Sequence, residues 1–241
     1  MNDISHRLER EDLAAALRMA ARHGWQSGIC NHFSLAVDAN NFLINPEGLF
    51  WSEVRASDLL LLDKDGKVVE GDGTVERTAF FIHYHIHKLV GSARCVLHAH
   101  PRHITGIVCA EGGRLEMSHQ DALRFYDRIA YDDDFNGAAV SDEEGRRIAS
   151  RLGNRSIMLM AHHGVTVTGP TVAKAYDDFY YLEKAAEFQL AAASTGRPLR
   201  ILSDDDCRRL APAFATPDGL VEGHFHAARR LLDRAEPDYR H

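Results

Sequence analysis

The stretch Cys95-Val-Leu-His-Ala-His-Pro101 joins an apolar run to two histidines that stand two positions apart. The run predicts a short buried strand, and Pro101 then opens a helix, as a first-turn proline can. Side chains at i and i+2 of a strand point to the same face, so His98 and His100 can bring two imidazoles to one metal ion. The alternative is that an H-x-H at a strand end is only exposed polar alternation.

A third imidazole is predicted at the end of another apolar strand. Residues 157–161 (Ile-Met-Leu-Met-Ala) precede His162-His163-Gly164, where the glycine lets the chain turn away tightly. His163 is therefore the best candidate for a third ligand. Three histidine ligands leave coordination positions open, which is typical of a catalytic rather than a structural metal site.

The composition is that of an ordinary globular protein. The 241 residues are 45% hydrophobic and 26% charged, which excludes disordered, collagen-like and coiled-coil classes. No run approaches the roughly eighteen apolar residues of a membrane span, and residues 1–20 carry acids where a signal peptide needs an apolar run, so we expect a cytoplasmic protein. A net charge of −7 argues against a nucleic-acid surface. Four scattered cysteines fit a reducing compartment, and the fifteen histidines are the unusual feature.

Helices alternate with hairpins along the chain. Hydrophobic spacing predicts helices over 8–22, 76–90, from 101 onward, 141–152 and 171–194, with two shorter helices at the end. Polar turns at 38–41 and 63–67 join predicted strands into antiparallel hairpins. We therefore predict an α/β fold, a three-layer αβα sandwich with a mostly antiparallel central sheet. The length fits a single domain over 1–241, with a core at about 8–195 and C-terminal helices over 196–241.

Five motifs stand in an order and spacing typical of one family. They are Gly28-Ile-Cys-Asn-His-Phe-Ser34, Leu43-Ile-Asn-Pro-Glu-Gly48, Ser57-Asp-Leu59, Cys95-Val-Leu-His-Ala-His-Pro101 and Ala161-His-His-Gly-Val165. Together they resemble the class II aldolase/adducin family over roughly residues 8–195. The resemblance implies an αβα sandwich, a cyclic homotetramer and one divalent metal ion per subunit, held between subunits. It also implies that His98, His100 and His163 are the metal ligands, whereas His162 faces away.

The helix before the H-x-H strand departs from the sugar-phosphate aldolases of this family. Their acid/base glutamate corresponds to Ala79, counting back from His98 without gaps. Glu76 lies one helical turn earlier and could reach the same cavity as a catalytic acid. Alternatively, it only complements the helix dipole. Arg77 could bind a substrate carboxylate bidentately, or it is a solvated arginine at the helix end.

The glycine-containing loops bind the substrate phosphate in those aldolases. The resemblance makes Asn31, Ser34 and Gly48 the corresponding substrate-binding candidates. Glu47 stands where a threonine is usual, and its carboxylate would repel an anion unless it turns outward or is paired. Glu47 is kept as a candidate contact, and a non-phosphorylated substrate is expected.

Two further catalytic candidates come from the resemblance. Phe80-Phe-Ile-His83 is similar to a branch without the glutamate, which contains metal-dependent decarboxylases of hydroxylated aromatic acids, oxygenase-like proteins and non-catalytic adducin heads. His83 should then face the cavity, where it could reprotonate carbon, or it is simply packed between helix and sheet. Tyr131, in a loop-like acidic stretch, could approach the metal of a neighbouring subunit, although an acidic run is most often a solvated face.

The favoured hypothesis is a metal-dependent lyase. It would decarboxylate a non-phosphorylated hydroxy or keto acid, aromatic acids included, through a metal-bound enolate, with zinc, manganese, iron or cobalt as the metal. The alternatives are a metal-dependent aldolase for a hydroxy-carbonyl substrate, an Fe(II)-dependent oxygenase on the same histidines, and a non-enzymatic adducin-like interaction module. The presence of all three histidines favours an enzyme. The expected partners are a small-molecule acid and further copies of the chain in a homotetramer, with no nucleic acid and no membrane.

Overall fold

The computed structural model describes residues 4–241, which form eight strands and eight α-helices. The strands are β1 (His32–Ala36), β2 (Phe42–Ile44), β3 (Leu60–Leu62), β4 (Val68–Glu70), β5 (Cys95–Ala99), β6 (Ile129–Asp132), β7 (Ile157–Met160) and β8 (Gly164–Gly169). The helices are α1 (Arg7–Arg22), α2 (Arg77–Leu89), α3 (Arg102–Val108), α4 (Gln120–Leu123), α5 (Asp142–Leu152), α6 (Val172–Ala193), α7 (Asp204–Leu210) and α8 (Asp218–Ala235). Residues 1–3, which begin the predicted domain, lie outside the described residues. Over the described part of the chain, no helix is both long enough and apolar enough to cross a bilayer.

One sheet contains all eight strands, in the order β4-β3-β2-β1-β5-β8-β7-β6. Neighbouring strands are antiparallel except β6 and β7, which are parallel. The register of β1 against β5 puts His32 opposite His98, and the register of β5 against β8 puts His98 opposite Thr166. Three adjacent strands at the centre of the sheet therefore carry polar side chains in one row.

The two faces of the sheet are covered by different helices. Phe33 of β1 and Leu97 of β5 belong to a core shared with α1, α3, α6 and α8. Val96 points to the opposite face and packs with residues of α2 and α5. Because side chains alternate along a strand, His98 lies on the same face as Val96, under α2 and α5. His98 is thus placed on the side of the sheet that α2 and α5 cover.

The predicted fold class is confirmed, since helices flank a mixed, mostly antiparallel sheet on both faces. The helices predicted over 8–22, 141–152 and 171–194 are α1, α5 and α6, and both predicted hairpins are present. Ser141 caps α5 as predicted, because its hydroxyl accepts a hydrogen bond from the backbone N–H of Glu144 at 3.3 Å.

The acidic stretch 131–135 was predicted to be loop-like, and this is wrong for Tyr131 and Asp132, which end the edge strand β6. Residues 133–135 lie outside the strand and are exposed, as predicted. The last residue of β6, Asp132, is buried, and Arg147 of α5 donates to both carboxylate oxygens at 2.8 Å. The guanidinium neutralises a carboxylate that would otherwise need water. Asp132 can therefore be buried within an acidic run because Arg147, fifteen residues later in the chain, pairs with it.

Candidate metal centre

Three histidines converge at one end of the central strands. His98 lies on β5, His100 directly follows that strand, and His163 lies in the turn between β7 and β8. One candidate ligand nitrogen from each residue lies within 4.8 Å of the other two. The ring centroids are 4.7, 4.9 and 5.2 Å apart. We call these residues the three-histidine cluster, and they are close enough to share one ion.

The three rings are held in the neutral form that binds metals. Burial holds the pKa of His98 well below its ordinary value, and the neighbouring His163 lowers it further. Burial is also the main reason why the pKa of His100 falls to about 4 and why the pKa of His163 is lowered. A neutral imidazole keeps a lone pair on one ring nitrogen, so the cluster can take up a cation without first losing protons.

Hydrogen bonding indicates which nitrogens would face an ion. Nδ1 of His98 lies 3.2 Å from the hydroxyl oxygen of Thr166, which leaves Nε2 of His98 free. Nε2 of His100 is buried and has no hydrogen-bond partner in the part of the chain that the structure describes. A buried polar atom without a partner is costly, and a bound cation would satisfy it. This set of imidazole donors fits zinc, manganese, iron or cobalt.

Gly164 is needed because of a close approach and not only for a turn. A Cβ at this position would collide with the ring of His100 and would lie 2.7 Å from the backbone oxygen of Ala99. The missing side chain therefore lets the His100 ring lie against the start of β8. This contact explains why a glycine follows His163 in the sequence.

A carboxylate from α6 anchors the chain just after His100. Glu183 accepts hydrogen bonds from the backbone N–H groups of His103 and Ile104, both at 2.9 Å, and from Nδ1 of His103 at 2.7 Å. The first N–H groups of a helix have no partner within the helix, and here Glu183 supplies one for α3. The connection from β5 to α3 is thereby fixed, and with it the position of His100.

A second group of histidines lies between β1 and α2. Nδ1 of His87 donates to the backbone oxygen of Ala93 at 2.7 Å, and Nε2 of His87 is 2.7 Å from the hydroxyl of Ser34. The same hydroxyl is hydrogen-bonded to Nδ1 of His83, and Nε2 of His83 is 2.7 Å from Nδ1 of His32. We call His32, Ser34, His83 and His87 the buried chain.

The positions of His83 and Ser34 differ from those expected. The side chain of His83 is fully buried, and both of its ring nitrogens have protein partners. His83 is therefore packed between helix and sheet, which was the alternative, and it does not face a cavity. Ser34 is fully buried as well, and a substrate cannot reach its hydroxyl. Sequence reasoning did not select His32, yet its ring stacks on that of His98 with centroids 5.0 Å apart. The available signal was the shared strand face of His32 and Ser34.

Glu76 precedes α2 and caps it. Its Oε2 accepts a hydrogen bond from the backbone N–H of Ala79 at 3.0 Å, and it also lies 3.7 Å from Nε2 of His32. Glu76 thus complements the helix N-terminus and borders the site at the same time. Ala79, which the resemblance aligns with the aldolase glutamate, is fully buried. Arg77 is exposed and donates to the backbone oxygen of Val140 at 3.2 Å, which agrees with the helix-end alternative.

The candidate substrate loops hold one unpaired polar atom. Asn31 has a φ of +76°, and its side-chain oxygen is buried without a partner among residues 4–241. Gly48 has a φ of +88°, which favours glycine. Glu47 is exposed and accepts a hydrogen bond from the hydroxyl of Thr74 at 2.5 Å, so its carboxylate is paired.

Tyr131 lies on the opposite face of the sheet from His98. It lines a cavity of about 440 Å³ together with Arg114 and the exposed His162. The Arg114 guanidinium lies 4.4 Å from the centroid of the Tyr131 ring. The cavity beside His163 encloses only about 10 Å³. Tyr131 does not join the cluster of its own chain, so its expected role concerns a neighbouring subunit and stays a prediction.

Known proteins match both the sequence and the fold. The family profile described as Class II Aldolase and Adducin N-terminal domain matches residues 11–190. A Caulobacter vibrioides protein named "Putative aldolase class 2 protein" is 31% identical over 235 residues, covering 95% of this chain and 91% of that protein. Alpha-adducin of Mus musculus is 31% identical over 96% of this chain, which matches 34% of the adducin. The crystal structure of an aldolase II superfamily protein from Pseudomonas syringae has a TM-score of 0.91 at 31% identity and covers 99% of this chain and 97% of that chain.

Proposed function

Because this chain belongs to the class II aldolase and adducin family, we propose that it is a metal-dependent carbon–carbon lyase for a non-phosphorylated hydroxy or keto acid. The observation that carries the proposal is the convergence of three neutral imidazoles, from His98, His100 and His163, within 4.8 Å. Three histidines leave coordination positions for a substrate. The buried, unpaired Nε2 of His100 supports the same conclusion.

The residues around the cluster would position the ligands. A divalent zinc, manganese, iron or cobalt ion bound there would act as a Lewis acid that stabilises enolate charge. Thr166 orients the His98 ring through Nδ1, and Gly164 gives the His100 ring its place. Partners of this kind fix the tautomer and the direction of a ligand.

Charge at the edge of the cluster favours an acid without a phosphate group. The Glu76 carboxylate lies 3.7 Å from Nε2 of His32. Arg77 is engaged with the backbone of Val140. A phosphate dianion beside the Glu76 carboxylate would be repelled, whereas a single substrate carboxylate can be neutralised by a metal ion.

Decarboxylation is the first reaction that we propose for this site. Loss of carbon dioxide leaves an electron pair as an enolate, so the step needs no base and only an acid that returns a proton to carbon. Ala79 is fully buried and apolar at the position of the aldolase glutamate. Of the reactions considered, decarboxylation is the one that least requires a glutamate at this position.

Retro-aldol cleavage is the second candidate, and the position of Glu76 favours it. Its carboxylate lies 3.7 Å from Nε2 of His32 at the edge of the cluster. Retro-aldol cleavage begins when a proton leaves a substrate hydroxyl, and either group could accept that proton. Glu76→Gln keeps an oxygen for the helix cap and removes the charge. We expect this variant to lose roughly 100-fold or more in aldehyde release and to retain carbon dioxide release.

We also propose that the active unit is a homotetramer. The cavity that His163 and Phe135 line holds only about 10 Å³, which is too small for an organic acid. Phe135 lines this space and is 54% exposed, so a neighbouring subunit could cover it and complete the wall. Sedimentation should give four times the mass of the chain. A fully active monomer would refute the tetramer.

The reaction is tested by a screen of hydroxy and keto acids with metal-reconstituted protein. Carbon dioxide, aldehyde and oxygen are followed together in each assay. Carbon dioxide alone supports decarboxylation, and an aldehyde supports retro-aldol cleavage. Oxygen consumption that requires Fe(II) would replace the lyase by an oxygenase. Protein that binds no stoichiometric divalent metal after reconstitution would overturn the enzyme and favour an adducin-like interaction module.

A further inference from the structure

The buried chain has a direction that begins at a backbone carbonyl. The oxygen of Ala93 can only accept, so Nδ1 of His87 carries the proton that joins them. His87 is neutral because burial lowers its pKa to about 4. Its Nε2 can therefore only accept, and the single hydroxyl proton of Ser34 points toward it.

The same argument extends the direction to His32. Since the proton of Ser34 is already used, its oxygen accepts from Nδ1 of His83. Burial holds the pKa of His83 well below its ordinary value, so the ring is neutral and its Nε2 accepts from Nδ1 of His32. Nδ1 of His32 therefore carries a proton. The Glu76 oxygen nearest to Nε2 of His32 lies 3.7 Å away, beyond hydrogen-bond distance, so nothing among the described residues holds a second proton there and Nε2 keeps a bare lone pair.

This lone pair borders the three-histidine cluster. His32 is 5% exposed, and its ring is nearly parallel to that of His98, with an interplanar angle of 24°. Among the described residues no donor is hydrogen-bonded to Nε2 of His32, and the carboxylate of Glu76 lies 3.7 Å away. Nε2 of His32 and the Glu76 carboxylate are both acceptors and do not stabilise each other at this distance. A donor that reaches Nε2 would give its lone pair a partner.

We propose that His32 contacts the substrate, with Nε2 accepting a hydrogen bond from a substrate hydroxyl and the Glu76 carboxylate available as a second acceptor. This inference rests on the proposed lyase function, because the hydroxyl must belong to an acid held at the three-histidine cluster. It narrows the substrate to acids that carry a hydroxyl beyond the group bound to the metal, such as 2,3-dihydroxy acids and related β-hydroxy compounds. A site that accepts a hydrogen bond from such a hydroxyl rejects analogues without it.

The direction of the buried chain is measured in metal-free protein without substrate. Long-range ¹H–¹⁵N NMR on protein labelled with ¹⁵N-histidine distinguishes protonated from bare ring nitrogens, and His32→Asn assigns the His32 signals. We expect the proton on Nδ1 of His32, His83 and His87. Ser34→Ala should release His32 to a mixture of tautomers. A proton on Nε2 of His32 in the wild-type protein would overturn the inference, and this measurement needs no variant that folds poorly.

The substrate contact is measured by binding to zinc-loaded protein. Glycerate and lactate are both 2-hydroxy acids, and only glycerate has a second hydroxyl. We expect the wild-type protein to bind glycerate roughly tenfold more tightly. His32→Asn should remove this preference and retain zinc, because the asparagine amide can still donate to His83 but ends short of the Nε2 position. His85→Gln is the control, since His85 is comparably buried on α2 and pairs with Asp142 outside the buried chain.

The outcomes separate the inference from the proposed function. A preference that persists in His32→Asn, or that is missing in the wild type, overturns the contact with His32. Zinc-loaded protein that binds neither acid contradicts the proposed function. In that case the tautomers in the metal-free protein still decide the direction of the buried chain.

Discussion

The three-histidine cluster and the buried chain are neighbours with opposite uses of the same side chain. In the cluster, Nε2 of His100 has no partner among the described residues, and the rings turn their nitrogens toward one another. In the buried chain, His83 and His87 use both of their ring nitrogens in hydrogen bonds with the protein. The cluster thus leaves ring nitrogens free for an ion, whereas in the buried chain only Nε2 of His32 lacks a partner among the described residues.

Burial does not distinguish the two groups. His98 is 1% exposed and His83 is 0% exposed, and burial lowers the pKa of both. The number of hydrogen-bond partners that each ring finds within the protein does distinguish them. A buried neutral histidine with a free nitrogen is prepared for a ligand, whereas one with two partners is part of the scaffold.

Removal of one cluster ligand should have the largest effect. We expect His163→Ala to lower zinc affinity by roughly 100-fold or more, because the ion loses a direct bond. His162→Ala is the matched control, since His162 is adjacent, exposed and outside the cluster. Isothermal titration calorimetry measures both variants. If His163→Ala binds zinc as tightly as the wild type, the three-histidine cluster is not a metal centre and the comparison fails.

Filling the space at Gly164 should have the next largest effect. In Gly164→Ala the new methyl group would displace the His100 ring, and we expect zinc affinity to fall roughly 10- to 100-fold. Gly145→Ala is the control, because its methyl group would collide with His85 between α2 and α5. That variant should lower the thermal midpoint and leave zinc affinity intact. Equal zinc affinities in the two variants would show that Gly164 does not set the ligand geometry.

Ser34→Ala tests the buried chain. Loss of the hydroxyl leaves His83 and His87 each without a partner, so we expect a loss of about 1–3 kcal/mol in the free energy of unfolding. Zinc affinity should stay within a few-fold of the wild-type value. Urea unfolding of the metal-free protein gives the stability. Ser194→Ala on an exposed helix end should cost less than about 0.5 kcal/mol. A large loss of zinc affinity in Ser34→Ala would mean that the two groups are not separate.

Mild acid should produce the smallest change. His87 and His100 have pKa values of about 4 in the folded protein and ordinary values near 6.5 when unfolded. Between these values the unfolded chain binds more protons, so stability is greatest above pH 6.5 and falls as the pH drops toward 4. From pH 7 to pH 6 each ring should contribute less than about 1 kcal/mol. Thermal midpoints of the metal-free protein check this, and His87→Leu should show a shallower fall. A flat profile would mean that the folded and unfolded states bind equal numbers of protons, so that burial does not lower the pKa of these rings.

The fold and the cluster could be predicted from local sequence, because their signals are short-range. Alternation, turn residues and a cap such as Ser141 determine elements within a few positions. His98 lies near the end of the apolar strand β5, His100 directly follows that strand and His163 closely follows the apolar strand β7, which brings all three to one end of the sheet.

The surroundings of the cluster depend on pairs that are distant in sequence. Asp132 is buried only because Arg147 returns from α5, and Ser34 is enclosed only because α2 brings two histidines over it. No local pattern separates His83 as a catalytic group from His83 as a partner of Ser34. His32 was missed for the same reason, since its neighbours His83 and His98 come from other elements.

The anchoring of α3 by Glu183 bears on how quickly the site can be filled. The chain on both sides of His100 is fixed, by β5 pairing before it and by the Glu183 hydrogen bonds after it. No segment has to fold around the arriving cation, so the association rate should follow the water-exchange rate of the aquated ion. Stopped-flow mixing should therefore give a single bimolecular phase with no change in far-ultraviolet circular dichroism, in contrast to the slow filling of sites whose backbone orders only with metal.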